Sequence, residues 1–356
     1  MKQFFLFLLT CLCVNVFATV RTVSNNTGTL AQYTTIQAAV NASASGDTIY
    51  IHGSNTSYGS FNVTDKRLIY IGPGWSPVSN FNSLKATIGG INFSGVGCDN
   101  SELQGLVFTA QITIGFNHPN GIRFIRNQFL SAQVIINYGT SDYSGFVFQD
   151  NWFDGGQIVG NQNNSYTNCV IQNNIFYHNS TITASIYGLT NSVSVIIDHN
   201  LFYGPSSGNG VVFAGDCRGL LITNNIFVRK NASVNCSISN FKNNITYLCG
   251  VDNPWTVNGN IGTNNVAGQD PQMVDQVGVN NGTDDPLLNF TIAAGPANNT
   301  AIDNQDMGLL FEPASILNWS NSRMSRIPYI YSMSITNPSI SAGGTLNVQV
   351  EARKNN

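Results

Sequence analysis

VFQDNWF (147–153), VIQNNIF (170–176), IIDHNLF (196–202) and LITNNIF (221–227) are four versions of one string, and FIRNQF (124–129) is a fifth. Each ends on a phenylalanine two residues past an asparagine. Asn127, Asn151, Asn174, Asn200 and Asn225 therefore keep step with Phe129, Phe153, Phe176, Phe202 and Phe227, and Phe108 extends the series upstream. The gaps between successive phenylalanines are 21, 24, 23, 26 and 25 residues. A near-constant period of this length marks a stacked-coil architecture, in which each repeat buries its apolar face only against its neighbours.

Within a unit, apolar and polar residues alternate, so one set of side chains points inward and the other outward from a strand. Apolar residues do not recur at i, i+3, i+4 and i+7, so a helix does not fit. Units of about 24 residues are too short for a strand–helix–strand crossover, which needs roughly 30. They suit one coil of a parallel β-helix, stacked at about 4.8 Å per coil. Like residues then stack on like: the phenylalanines as an interior column, the asparagines as a second ladder at a turn, where Asn tolerates left-handed backbone and can satisfy buried amides. Leu106 replaces the asparagine at one end and Thr246 the phenylalanine at the other, the atypical repeats expected where a stack must be closed.

Residues 1–18 read as a secretory leader: Lys2, an apolar run from Phe4 to Val14, and Val16-Phe17-Ala18 before a cut at Thr19. The expected location is therefore extracellular or at the cell surface. No other stretch is long enough to span a membrane. Only 9% of residues are charged and the net charge is −3, which excludes the dense basic footprint of a nucleic-acid binder. Five cysteines follow the leader, Cys98, Cys169, Cys217, Cys236 and Cys249. Their spacing matches no zinc pattern, and they read as buried apolar residues with room for one disulfide among the last three.

Before the repeats, TTIQAAVNAS (34–43) places Ile36, Ala39 and Val40 on one helical face, ahead of the Gly-Asp turn of GDTIYI. After them, DPLLNFTIAAGPANNTAIDNQDMGLLFEP (285–313) reads as a final coil and its cap. PYIYSMSI and TLNVQVEA, on either side of Ala342-Gly343-Gly344, read as a β-hairpin packed on the last coil, or a docking or sorting tail. YTTIQAAVNASASGDTIYI with SYGSFNV and RLIYIG resembles the N-terminal entry of the right-handed parallel β-helix proteins of the pectin-lyase-like superfamily, and the Asn/Phe units resemble their repeat. The resemblance covers roughly residues 33–262. It implies an all-β, right-handed parallel β-helix over 19–312 with a short N-terminal capping helix, then a C-terminal cap or β tail over 313–356. It says little about activity, because this scaffold hosts lyases, hydrolases, tailspikes and adhesins.

Catalysis on such a scaffold needs acids and bases clustered on the outer face of adjacent coils. The superfamily's lyases bind Ca²⁺ with carboxylates and use Arg or Lys as base, and its hydrolases set Asp residues close together. VIIDHN (195–200) resembles the lyase string Val-Trp-Ile-Asp-His, with Ile196 at the Trp position. Asp198 and His199 are the matching residues, and the stacked register aligns His199 with Asn173 and Asp150, with Arg218 within a few coils. These four are the candidates for a lyase or hydrolase of uronate polysaccharide, and Ca²⁺ enters only with that alternative. The plainer reading makes them polar residues beside the asparagine ladder. Tyr177, Tyr203 and Tyr247 each follow a ladder asparagine by three residues and should form an outward column, with Trp152, Tyr143 and Tyr166 nearby. Aromatic faces among Asn, Gln and Ser suit sugars. The expectation is a secreted or surface β-helix without an evident catalytic centre or cofactor, serving in glycan contact, adhesion or surface structure.

Overall fold

The computed structural model describes residues 18–76, 84–115, 117, 119–136, 138–139, 141–179, 184–205, 210–311, 329–335 and 343–353. The expected leader, apart from Ala18, and most of 313–356 lie outside them. Among the described residues the chain winds into a parallel β-solenoid of three long sheets. An eleven-stranded sheet runs from Val20–Val23 to Ile261–Thr263, an eight-stranded sheet from Thr87–Ile88 to Ile245–Tyr247, and a seven-stranded sheet from Phe61–Thr64 to Phe213–Ala214. Each coil passes from the eleven-stranded sheet round a corner to the eight-stranded sheet, then to the seven-stranded one.

The interior is the expected pair of columns. Phe108, Phe129, Phe153, Phe176, Phe202 and Phe227 are register partners in the eight-stranded sheet. Their ring centroids are 5.3, 4.4, 4.4, 4.8 and 5.1 Å apart, all stacked. Ile88 and Thr246 continue the column at its two ends. Facing it, Leu103, Phe124, Phe148, Ile171, Ile197, Ile222 and Phe241 line the eleven-stranded sheet. Tyr143 and Tyr166, expected near a sugar face, are instead fully buried and stacked at 5.8 Å, each hydroxyl bonded to backbone.

The asparagine ladder sits at the corner between these two sheets. Asn151 Oδ1 accepts from both the backbone N–H (2.9 Å) and the Nδ2 (3.2 Å) of Asn127, while Asn127 Nδ2 also donates to Leu103 O (2.9 Å). The same bonds join Asn151, Asn174, Asn200, Asn225 and Asn244 in turn. Two details differ from expectation. The ladder runs one coil further, to Asn265, whose Oδ1 accepts Asn244 N. The left-handed residue is the one before each ladder asparagine: Arg126, Asp150, Asn173, His199, Asn224 and Asn243, with φ between 50° and 57°.

Helix α1, Ile36–Ala42, forms where expected. Thr35 caps it by accepting Ala38 N, and Ile36, Ala39 and Val40 join the core. It packs on Val20–Val23, Thr48–Ile51 and Phe61–Thr64. The five cysteines among the described residues, Cys98, Cys169, Cys217, Cys236 and Cys249, are buried free thiols. Cys217 and Cys236 are register partners in adjacent coils, and burial pushes both thiols up to about 12. Tyr329–Ile335 and Val348–Arg353 form an antiparallel pair.

The stretch expected as a final coil does something else. Residues 273–311 leave the stack and run back along it as a strap. Met273, Val279, Phe290, Ile292, Met307 and Leu309 pack on the outward side chains of the eight-stranded sheet and make a second core.

Phe176 lies between Phe153 and Phe202 in the tightest part of the column, where its neighbours are held by their own coils. Phe176→Ala should cost roughly 3–5 kcal/mol of unfolding free energy in urea. A loss below about 1 kcal/mol would mean that the column is not the core.

Candidate functional site

The left-handed corner column carries two of the four acid–base candidates, Asp150 and His199, with Asp198 one residue before it, and the strap lies over it. Thr300 O accepts from Asn243 Nδ2 (2.7 Å), Asn224 Oδ1 from Ile302 N (2.9 Å), and Asn173 Oδ1 from Leu310 N (2.9 Å). His199 is 1% exposed. Its Nδ1 lies 2.9 Å from Gly308 O and its Nε2 3.3 Å from the Asp303 carboxylate. Asp198 accepts from Gln172 Nε2 (3.0 Å), Thr223 Oγ1 (2.7 Å) and Asn224 Nδ2 (2.8 Å). Asp150 is fully buried, accepts from Asn173 Nδ2 (2.6 Å) and lies 3.8 Å from Arg126 Nε. Polar side chains so placed satisfy a corner and seat a strap.

Arg218 does not join them. It lies exposed at the opposite end of the eleven-stranded sheet's strand, two residues before Leu220, paired with Asp216 at 2.9 Å. The structure thus ties Asp150 and Asp198 into the polar corner, turns His199 to the strap, and leaves Arg218 apart. Among the described residues, no three His, Cys, Asp or Glu side chains are grouped to hold a metal ion.

The tyrosine column is a second correction. Tyr177 and Tyr203 do point outward from the coil and share a register position, but the strap buries both. Tyr177 Oη donates to Gly282 O (3.1 Å), Tyr203 Oη donates to Thr283 O (3.0 Å), and Phe290 packs on Tyr203 at 6.0 Å. Val228 stands between Tyr203 and Tyr247, and Tyr247 stays half-buried at the margin of the second core. Trp152 is buried against Trp75, ring to ring 5.4 Å. The apolar area of these rings is spent on the strap, because outward aromatic residues on a covered sheet bury as readily as inward ones.

Near Trp152 the covered face changes character. Lys85 Nζ donates to Gln128 Oε1 (3.2 Å), and Gln128 hydrogen-bonds Asp154. Burial raises the Asp154 carboxyl against the pull of Gln128 and Lys85, and lowers Lys85 against the pull of Asp154. Asp284, on the strap, is pushed up to about 6 by partial burial and by the charges of Asp154 and Asp285. The sequence carries no local signal for Asp154. Nothing periodic ties it to Lys85 or Asp284.

The seven-stranded sheet keeps an open outer face. One outward column is Asn62, Asn92, Thr113, Ile135, Val159, Tyr187 and Ala214. The other contains Gln111, Gln133 and Gln157 at successive coils. Gln133 Nε2 donates to Gln157 Oε1 (2.5 Å), Gln157 Nε2 to Ala184 O, and Gln111 Nε2 to Thr113 Oγ1 (2.9 Å). Neither column holds a charged residue. Tyr187 is 40% exposed. Gly215, at φ +66°, makes room for its ring, since a Cβ there would sit 2.5 Å from the Tyr187 ring. Sequence reading missed this face because its strands lack the Asn/Phe signature, although the spacing of Gln111, Gln133 and Gln157 was visible.

No family model matches the chain, and no curated protein matches it either. Among the described residues no helix is long and apolar enough to cross a membrane.

His178, directly after Tyr177, is 1% exposed. Burial, then the charge of Lys230, lowers its ring from 6.5 to about 3. The unfolded chain takes up this proton as pH falls through 6.5, whereas the folded chain holds back until about 3. The folded chain binds fewer protons in that window, so acid destabilises it there. Asp284, raised, acts in the opposite sense between 3.8 and about 6, so a difference measurement is needed. The urea stability of wild type relative to His178→Asn should fall by up to about 1.4 kcal/mol per pH unit below 6.5. Parallel pH profiles would show that His178 charges freely in the folded chain.

Proposed function

We propose that this chain is a secreted, right-handed parallel β-helix of the pectin-lyase-like kind, which holds neutral polysaccharide along the outer face of its seven-stranded sheet without cleaving it. The leader-like first 18 residues support export, and α1 against the first coils suits a plug for the open end of a stack. The observation that carries the reading is the make-up of the open face. Asn62, Asn92, Thr113, Gln111, Gln133 and Gln157 offer amide and hydroxyl groups at coil spacing, and Tyr187 offers a ring beside them. Sugars present hydroxyls and apolar CH faces in alternation, which such a surface matches. A uronate would need cations there, and a lyase or hydrolase would need converging acids and bases. The face has neither, and Asp150 and Asp198 are engaged at the corner and His199 by the strap.

The test is an array of neutral and uronate polysaccharides, with hits followed by calorimetry and by ultraviolet absorbance for unsaturated product. We expect binding to a neutral glycan, weakened by about 1–2 kcal/mol in Tyr187→Ala, roughly 5- to 30-fold, at unchanged urea midpoint. Binding confined to uronates, turnover, or indifference to Tyr187→Ala would overturn the reading.

A further inference from the structure

The C-terminal antiparallel ribbon is amphipathic. Register pairs Met333 with Val350 and Ile335 with Val348 on one face, and Ser332 with Glu351 and Ser334 with Gln349 on the other. Ser332 Oγ reaches Glu351 Oε2 at 3.5 Å, so the polar face is knit together. The apolar face is bare: Met333 is 65% exposed, and Ile335, Val348 and Val350 are about half exposed. An isolated two-stranded ribbon is marginal in water, and a sequence that alternates so cleanly on both strands is built to bury one side.

The same chain carries a matching surface. On the outer face of the eleven-stranded sheet, Val147, Val170, Ile196 and Leu221 follow one another at successive coils, then Asn240 and Ile261. Exposure rises along this stripe, and Ile261 is 62% exposed on the last strand of the sheet. Beside it stands Ile238, exposed and held at φ 49°. A β-branched residue resists that conformation, and the equivalent corners of neighbouring coils carry Gly145, Asn168, Ser194, Gly219 and Gly259. An exposed isoleucine kept where glycine or asparagine would relieve strain marks a site that wants apolar surface.

The strap sets the reach. Leu310 is bonded to the Asn173 corner, about four strand spacings, or roughly 19 Å, from the level of Ile261. Seventeen residues separate Phe311 from Tyr329, and they can extend over roughly 55 Å. Tethering at that length raises the local concentration of ribbon over its own stripe far above that of any free partner.

We propose that the ribbon seats Met333, Ile335, Val348 and Val350 on the aliphatic stripe around Leu221, Ile238 and Ile261 of its own solenoid, covering the open end of the eleven-stranded sheet. This is independent of the glycan reading, since it uses a different face.

The full chain carrying Ile261→Cys and Val350→Cys would be treated with a short bis-maleimide. Cys98, Cys169, Cys217, Cys236 and Cys249 are buried and should stay unmodified, and Cys11 and Cys13 are replaced by Ser. The control pairs Val350→Cys with Asn92→Cys, which is exposed on the seven-stranded sheet. The expected result is an intramolecular cross-link, found by peptide mass, at about tenfold or greater yield over the control. Adding Met333→Asp should reduce that yield towards the control. Equal yields in the two pairs, no cross-link in either, or cross-links only between molecules would overturn the proposal. The last outcome would assign the ribbon to a second copy of the chain.

Discussion

Every coil of this solenoid has to turn a sharp corner inside protein, where backbone amides have no water to bond. The asparagine ladder answers that constraint. One side-chain oxygen takes two donors from the coil before it, and the side-chain nitrogen reaches a carbonyl that the corner would otherwise leave unpaired. The bonds run from coil to coil, so each asparagine sets the position of the next corner. Once corners align, identical positions stack, and a column of phenylalanines at 4.4–5.3 Å follows from the period rather than from any pairwise preference.

The corner also decides what the outside can be. The residue before each ladder asparagine is forced into left-handed geometry, and Arg126, Asp150, Asn173, His199 and Asn224 are all buried. Asn and Asp tolerate this best, which is why a polar column accompanies the ladder. That column is what the strap grips, through Asn173, His199, Asn224 and Asn243. The eight-stranded sheet is thereby covered, and the tyrosines that look like a sugar platform become the floor of a second core. Of the three long sheets, the seven-stranded one keeps an outward face of neutral hydrogen-bonding groups, and it is there that a glycan reading finds support.

The stacked architecture was legible because a solenoid repeats its contacts at a fixed period. The Phe and Asn positions, the inward residues of both sheets and α1 all announce themselves locally. The one-residue offset of the left-handed corner was not, since Asn at two adjacent positions, as in Asn173-Asn174, fits either assignment. The strap was not legible either. Its contacts join residues 51 or more apart, such as Arg229 with Asn280, Tyr203 with Thr283 and Asn173 with Leu310, and each occurs once. A single long-range contact leaves no periodic trace. Asp198 and His199 illustrate the result: a string similar to a lyase motif, whose side chains serve the corner and the strap.

The most direct test of the account is the stability of Asn174→Ala. Asn174 Oδ1 accepts Asn151 N and Asn151 Nδ2, both at 2.9 Å, and its Nδ2 donates to Phe148 O and Asn200 Oδ1. Truncation strands buried donors and acceptors on two coils, at about 1–3 kcal/mol each. Urea unfolding should therefore show a loss of at least about 3 kcal/mol. It should be accompanied by faster amide exchange at Asn151, whose N–H would have lost its acceptor. A loss below about 1 kcal/mol, with Asn151 still protected, would contradict the claim that the amide ladder holds the stack.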